Sequence, residues 1–285
     1  MIIYDPKNWI RILLDFPRSP VFRTLALDVV AAGAWAALVV WVETDVIRVA
    51  VPLGPSFLSI LGIILGLLLV FRTNTSYDRW WEGRRLWGQL VNVSRGLAHQ
   101  LDAYLPAGAA QRVEYGDWLE QFPVTLAAHL RRPRGAPGEH VPNRVVQAMS
   151  RAVQRDVANG LLPRETIISL TPVLLAFDDI TGACERIRNT PIPFSYSSYV
   201  KQFVLLYALI MPFGLVKEFG YGTVIACMFT FFATMGLELL ATEIEEPFGT
   251  DRNDLPLDDL ADRIGRDVRT LLGGTLPEQG PVTAA

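Results

Sequence analysis

Long uncharged stretches dominate the hydrophobic pattern of the chain. Residues 24–42 carry one charge, Asp28, and residues 49–71 and 219–237 carry none. A helix needs about 20 mostly apolar residues to cross a bilayer, because the hydrocarbon layer is ~30 Å thick. The pattern therefore predicts three transmembrane helices.

A shorter apolar stretch, residues 202–216, predicts a fourth span. At ~1.5 Å per residue this stretch alone falls short of a full crossing. Tyr199, Val200 and a lysine at either end can extend it, because a lysine side chain reaches from the apolar layer to the interface. We also expect Pro212 to kink this helix.

The distribution of basic residues predicts the orientation. Four basic residues precede the first span and four follow the second, whereas the intervening loop holds Glu43, Asp45 and only Arg48. By the positive-inside rule, both termini and the region 72–198 are cytoplasmic in a multi-pass plasma (cell) membrane protein. Residues 1–20 are expected to include a short amphipathic helix that lies at the membrane surface or on the protein's own cytoplasmic part.

The region between the second and third spans has helical periodicity. Apolar residues fall near one face of a helix (Leu86, Leu90, Leu97, Leu101 and Leu105), and no long period-2 pattern competes with it. Residues 131–142 read as a loop, and the tail beyond Leu272 is expected to be disordered. No Pro or Gly interrupts residues 67–82, so the second span should continue into the cytoplasm as one helix.

These elements predict an all-α membrane protein with four transmembrane helices and a large helical cytoplasmic region. The chain divides into four parts. An interfacial helix and the first two spans form residues 1–71, and a cytoplasmic helical region forms residues 72–198. The last two spans form residues 199–246, and a C-terminal helix with its disordered tail forms residues 247–285.

Composition excludes several function classes. The chain has 285 residues, is 51% hydrophobic and has a net charge of −3, so nothing indicates a nucleic-acid-binding face.

Cys184 and Cys227 are expected to be buried thiols. The three histidines (His99, His129 and His140) are scattered without a metal-ligand spacing, and no phosphate loop or nucleophile elbow occurs. We therefore expect no enzyme activity.

The second span carries an internal pattern. Ile63, Leu67 and Phe71 are spaced by four and form one stripe, while Gly62 and Gly66 form a GxxxG pair on an adjacent stripe. One interpretation is packing against neighbouring helices. The other is a hydrophobic constriction that gates ions by dewetting.

Three sequence blocks then resemble the bestrophin family. They are Arg79-Trp80-Trp81 after the second span, residues 189–196 (NTPIPFSY) before the third, and residues 246–249 (EPFG) followed by Asp251 and Asp254 after the fourth. The blocks occur in family order beside the expected spans, and the resemblance covers roughly residues 5–270.

The resemblance implies a passive, homopentameric ion channel in the bilayer whose permeants are small inorganic ions. Ile63, Leu67 and Phe71 match the pore neck, and Thr190 or Ile187 matches a second, cytoplasmic aperture. Animal members conduct chloride, so an anion channel is the first expectation. The alternatives are a monovalent cation channel of the same fold, a secondary transporter and a non-conducting scaffold.

The chain departs from the family pattern at two places. Leu67 stands where animal members have an aromatic residue, which weakens the case for anions. Asp251 and Asp254 match two positions of the calcium clasp of animal members, but Arg252 and Asn253 interrupt the acidic run. These aspartates could form a weak calcium site, or they could serve in a turn or as a helix cap. No other cofactor is expected.

Two acidic residues, Glu238 and Glu243, close the fourth span. We interpret them as a solvated helix end, with a cation-attracting vestibule as the alternative.

Overall fold

The computed structural model describes residues 20–48, 53–135, 138–251 and 253–273, with side chains from Leu25 onward. Regular structure in these ranges is entirely helical, which confirms the all-α class. The helices are α1 (Pro20–Trp41), α2 (Pro55–Tyr104), α3 (Ala110–Arg131), α4 (Val141–Ala158), α5 (Thr166–Asn189), α6 (Phe194–Phe219), α7 (Gly222–Glu245) and α8 (Leu257–Leu272). A π-helical turn, Val42–Val46, continues α1.

The chain divides into two compact units. The first consists of residues 1–80, 191–246 and 251–253, and it contains α1, the first half of α2, α6 and α7. The second consists of residues 81–190, 247–250 and 254–285, and it contains the rest of α2 with α3, α4, α5 and α8.

Five helices in the described ranges are long and apolar enough to cross a membrane. They are Leu25–Val46, Pro55–Tyr104, Thr166–Asn189, Phe194–Phe219 and Gly222–Glu245. Each predicted span overlaps one of the four that contribute to the first unit, and only the span predicted at 202–216 falls wholly within its helix. The additional candidate, α5, belongs to the second unit.

The turn between α6 and α7 differs from the predicted boundary. α6 has 26 residues, or about 39 Å at ~1.5 Å per residue, so it is long enough to cross a membrane. It ends at Phe219 because Gly220 adopts a positive φ of 52°, a conformation that glycine tolerates and that stops helices. The span predicted to start at residue 219 therefore starts at Gly222.

The long helix α2 confirms that the second span continues without a break. It begins at Pro55, whose fixed φ suits the first helical position, and runs for 50 residues, about 75 Å. It ends at Tyr104, two residues before Pro106. Residues 49–52, which the sequence assigned to this span, lie outside the described residues, as do the predicted interfacial helix at 1–19 and the tail at 274–285.

Each unit has its own apolar core. In the first, Leu65 and Leu69 of α2 pack with Val200 and Val204 of α6. In the second, the predicted face is buried at Leu90, Leu97 and Leu101 of α2 and at Leu105, directly after the helix, while Leu86 is half-buried. The loop expected at 131–142 lies mainly between α3 and α4, and both cysteines are buried thiols as predicted.

Candidate functional site

The part of α2 in the first unit has one buried face and one exposed face. Leu65, Leu69, Arg72 and Ser76 are buried, whereas Ile63, Leu67 and Phe71 are 72%, 55% and 55% exposed in the single subunit. At about 100° per residue, the exposed three lie within a sector of about 80°, roughly opposite the buried set. These side chains do not contribute to the core of their own chain. Their apolar surface is therefore available for contact with another molecule or with the surrounding medium.

The same exposed face changes from apolar to polar within one helical turn. Asn74 and Asp78 follow Phe71 at steps of three and four residues, and both are exposed. A continuous helix thus presents an apolar stripe followed by a polar one. Apolar rings of this kind form dewetting barriers when several copies face a common axis.

The two glycines of the GxxxG pair have different surroundings. A Cβ atom on Gly62 would lie 3.1 Å from the Tyr207 hydroxyl of α6, so this glycine permits close packing within the subunit. A Cβ atom on Gly66 would meet nothing within 4 Å. Within a subunit, only the first glycine therefore serves helix packing.

A buried ion pair fixes the end of the apolar stripe. Arg72, directly after Phe71, donates from Nη2 to Glu245 Oε2 at 2.7 Å and from Nη1 to Ser76 Oγ at 3.1 Å. The second oxygen of Glu245 accepts the backbone N–H of Ile192 at 2.9 Å. Glu245, at the last position of α7, thus joins the stripe helix to the Pro-Ile-Pro segment.

Sequence reasoning missed this pair. A basic residue directly after an apolar span and an acidic residue at the end of another form a recognisable signal, because buried charges in such proteins require partners. The signal identifies the class of contact, but not which acid among several meets Arg72.

The two aperture candidates differ in exposure. Ile187 is 3% exposed, whereas Thr190 is exposed and its hydroxyl donates to the Arg186 carbonyl oxygen. The Ile187 side chain is therefore enclosed by its own chain. In the described conformation, Thr190 alone of the two is accessible.

The two aspartates at the expected calcium position differ in exposure and are separated in the sequence by a basic residue. Ca²⁺ takes six to eight oxygen ligands, and Arg252 adds a positive charge between Asp251, which is exposed, and Asp254, which is buried. Neither aspartate belongs to a group of three or more metal-ligating side chains among the described residues. Neither caps α8, because the N-cap position is Pro256.

Glu238 is not a solvated helix end, contrary to the sequence interpretation. It is 0% exposed, and its Oε1 accepts the Thr242 hydroxyl at 3.2 Å and lies 3.7 Å from the Lys201 ammonium nitrogen. Because a buried carboxylate is costly without partners, the Lys201 ammonium group supplies the opposite charge. In this conformation Glu238 does not line a vestibule.

Two proteins that are named for a channel function are similar to this chain in sequence. Voltage-dependent anion channel-forming proteins of Nostoc sp. (strain PCC 7120) and Ralstonia nicotianae are each 32% identical to it. The alignments cover 93% of this chain and 92% of the Nostoc protein, and 100% of this chain and 98% of the Ralstonia protein.

Solved structures are similar as well. A bacterial bestrophin homologue from Klebsiella pneumoniae matches with a TM-score of 0.78 and 28% identity, covering 88% of this chain and 98% of that one. The family pattern described as bacterial/fungal bestrophin protein matches residues 1–270. The chain therefore belongs to the bacterial and fungal bestrophin family.

Proposed function

We propose that the chain forms a homopentameric, anion-conducting channel in the plasma membrane. The observation that carries this proposal is the exposed stripe of Ile63, Leu67 and Phe71 on an unbroken helix, followed directly by exposed polar residues. Five copies of this stripe around an axis form an apolar neck, and the polar residues below it line a wet vestibule. Ions then pass passively, with the neck as the barrier.

The four helices of the first unit supply the proposed membrane spans. α5 is long and apolar enough to be a fifth, but it belongs to the second unit and carries Asp178, Asp179 and Glu185. Four spans agree with the charge asymmetry that puts both termini in the cytoplasm. α5 then belongs to the cytoplasmic region.

The proposed aperture residue is Thr190. Its exposure supports it over Ile187, whose side chain is buried in its own subunit. A ring of five hydroxyl groups is a neutral constriction, in contrast to the charged rings that select one sign of ion. Because neither the apolar neck nor the neutral aperture carries a charge, the electrostatic field of the whole pore determines the selectivity between anions and cations.

The names of the relatives, which are anion channel-forming proteins, support anion conduction here. Asp78 favours the second candidate, a monovalent cation channel of the same fold. Its carboxylate is exposed on the face that continues the neck stripe, and five such groups would attract cations. Leu67, which is not aromatic, also lacks the ring edge that favours anions.

The test is a reversal-potential measurement on purified protein in planar bilayers with asymmetric KCl. A reversal potential near the chloride equilibrium value supports the anion channel, and one near the potassium value supports the cation channel. Absence of current, with intact oligomers shown by native mass spectrometry, would instead support a non-conducting scaffold. Flux that requires a proton or sodium gradient would indicate a transporter.

A further inference from the structure

Two histidines that are far from any ligand spacing in the sequence meet one carboxylate in the second unit. His129 Nε2 lies 2.6 Å and His140 Nε2 lies 2.7 Å from the same oxygen, Oε1 of Glu185. The two imidazole rings are 4.4 Å apart between centroids. The three ligand atoms all lie within 4.8 Å of one another.

Three separate elements bring these groups together. His129 is in the last turn of α3, His140 is the N-cap residue of α4, and Glu185 is near the end of α5. An ion held here would connect both ends of the loop between α3 and α4 to α5. Neither the pore neck nor the proposed aperture includes any of the three residues.

We propose that His129, His140 and Glu185 form a binding site for a divalent transition-metal ion, Zn²⁺ above all. Two imidazole nitrogens and a carboxylate oxygen are borderline ligands that suit Zn²⁺ and leave a fourth, tetrahedral position for water. Hard cations such as Ca²⁺ prefer oxygen ligands alone and would be bound more weakly.

The site is accessible to an ion from solvent. The side chains of His129, His140 and Glu185 are 16%, 33% and 28% exposed. Glu185 also lines a cleft of about 470 Å³ between α4 and α5, and Asp178 lines the same cleft. Two carboxylates in one cleft give a cation an acidic path to the histidines.

Three of the basic residues close in sequence to the site are paired with acidic residues outside it. They form ion pairs of 2.8 Å, 2.5 Å and 2.6 Å, namely Arg131 with Asp258, Arg144 with Glu139, and Arg186 with Glu82. Their charges are therefore partly neutralised, which reduces the repulsion that an incoming cation meets.

Binding requires a small rearrangement. Ligand atoms around tetrahedral Zn²⁺ are roughly 3.3 Å apart for bonds of ~2.0 Å, so the nitrogens of His129 and His140, now 2.6 Å and 2.7 Å from Glu185 Oε1, must each move away from it by about 0.6–0.7 Å. Each imidazole binds the ion through Nε2, so its single ring proton leaves Nε2 and is taken up at Nδ1 by exchange with solvent. His140 thereby loses the hydrogen bond that its Nδ1 accepts from the Asn143 N–H. This bond is long, with 3.2 Å between the two nitrogens.

The test measures metal binding to the purified, detergent-solubilised oligomer without any reference to conduction. Calorimetry with Zn²⁺ gives the affinity and stoichiometry, and Co²⁺ gives a visible ligand-field spectrum that reports tetrahedral coordination. The test variants are His140→Asn, which keeps a side chain suited to the N-cap position, and Glu185→Gln, which keeps the shape of the carboxylate. His99→Asn, at an exposed histidine outside the cluster, is the matched control.

We expect one Zn²⁺ per subunit in the wild type and in His99→Asn, and at least a tenfold loss of affinity in both test variants. Zn²⁺ should also slow hydrogen exchange in residues 131–142 of the wild type and of His99→Asn, but not of the two test variants. No saturable binding by the wild type, or equal affinity in all four proteins, would overturn the proposal. The two test variants act on different elements, so one that fails to assemble leaves the other to decide.

Discussion

Arg72 and Glu245 form a buried ion pair, with Nη2 and Oε2 2.7 Å apart and side chains 1% and 11% exposed. Arg72 follows the last residue of the apolar stripe, and Glu245 also holds the backbone N–H of Ile192. One carboxylate therefore links the position of the proposed neck to the segment that follows the proposed aperture.

Removal of the acid should destabilise the protein strongly. Glu245→Ala leaves a buried guanidinium and a buried backbone N–H without their acceptor, so we expect a loss of about 3–5 kcal/mol. The measurement is thermal unfolding of the purified oligomer in detergent.

The matched control is Glu139→Ala, which breaks the Arg144–Glu139 pair, whose side chains are 66% and 58% exposed. An exposed pair contributes at most about 1 kcal/mol. Equal shifts in the unfolding temperature of the two variants would mean that the Arg72–Glu245 pair has no special structural role.

Local patterns determined much of this fold. The uninterrupted run from residue 67 to 82 predicted the continuous helix α2, and the four-residue spacing predicted that Ile63, Leu67 and Phe71 share a face. The leucines at positions 90, 97, 101 and 105 are buried as their periodicity indicated. Such features follow from helix geometry within a few turns, so sequence alone suffices.

Features that depend on distant residues were not predictable in the same way. Arg72 and Glu245 are 173 positions apart, and His129 and Glu185 are 56 apart. The burial of Glu238 depends on Lys201 of another helix, and its position at a span end indicated solvent instead. One sequence does not specify which charges meet across helices, because many pairings satisfy the same local pattern.

A charge at the proposed aperture should change selectivity. In the proposed pentamer, Thr190→Glu introduces a ring of five carboxylates, which repel anions and attract cations, whereas Thr190→Gln adds similar bulk without charge. We expect the anion-to-cation permeability ratio, from reversal potentials, to fall by about threefold or more in Thr190→Glu relative to Thr190→Gln. Identical reversal potentials in the two variants would remove Thr190 from the ion path.

Calcium should not control the current. The acidic residues at 251 and 254 are interrupted by Arg252, whose positive charge opposes cation binding, and two carboxylate side chains alone fall short of the six to eight oxygen ligands that Ca²⁺ takes. We expect single-channel open probability to be the same with free calcium present and with a chelator on both sides. Loss of activity on chelation, restored by added calcium, would contradict this prediction.

The central claim is that Ile63, Leu67 and Phe71 form the barrier to ions. Replacing all three with alanine widens the neck and lowers its dewetting barrier, so we expect single-channel conductance in planar bilayers to rise by about twofold or more. The control is the alanine variant of Ile225, Leu237 and Phe229, which have the same residue types and are 74%, 45% and 71% exposed on α7. A neck variant that conducts like the wild type, or a control variant that changes conductance equally, would contradict the account.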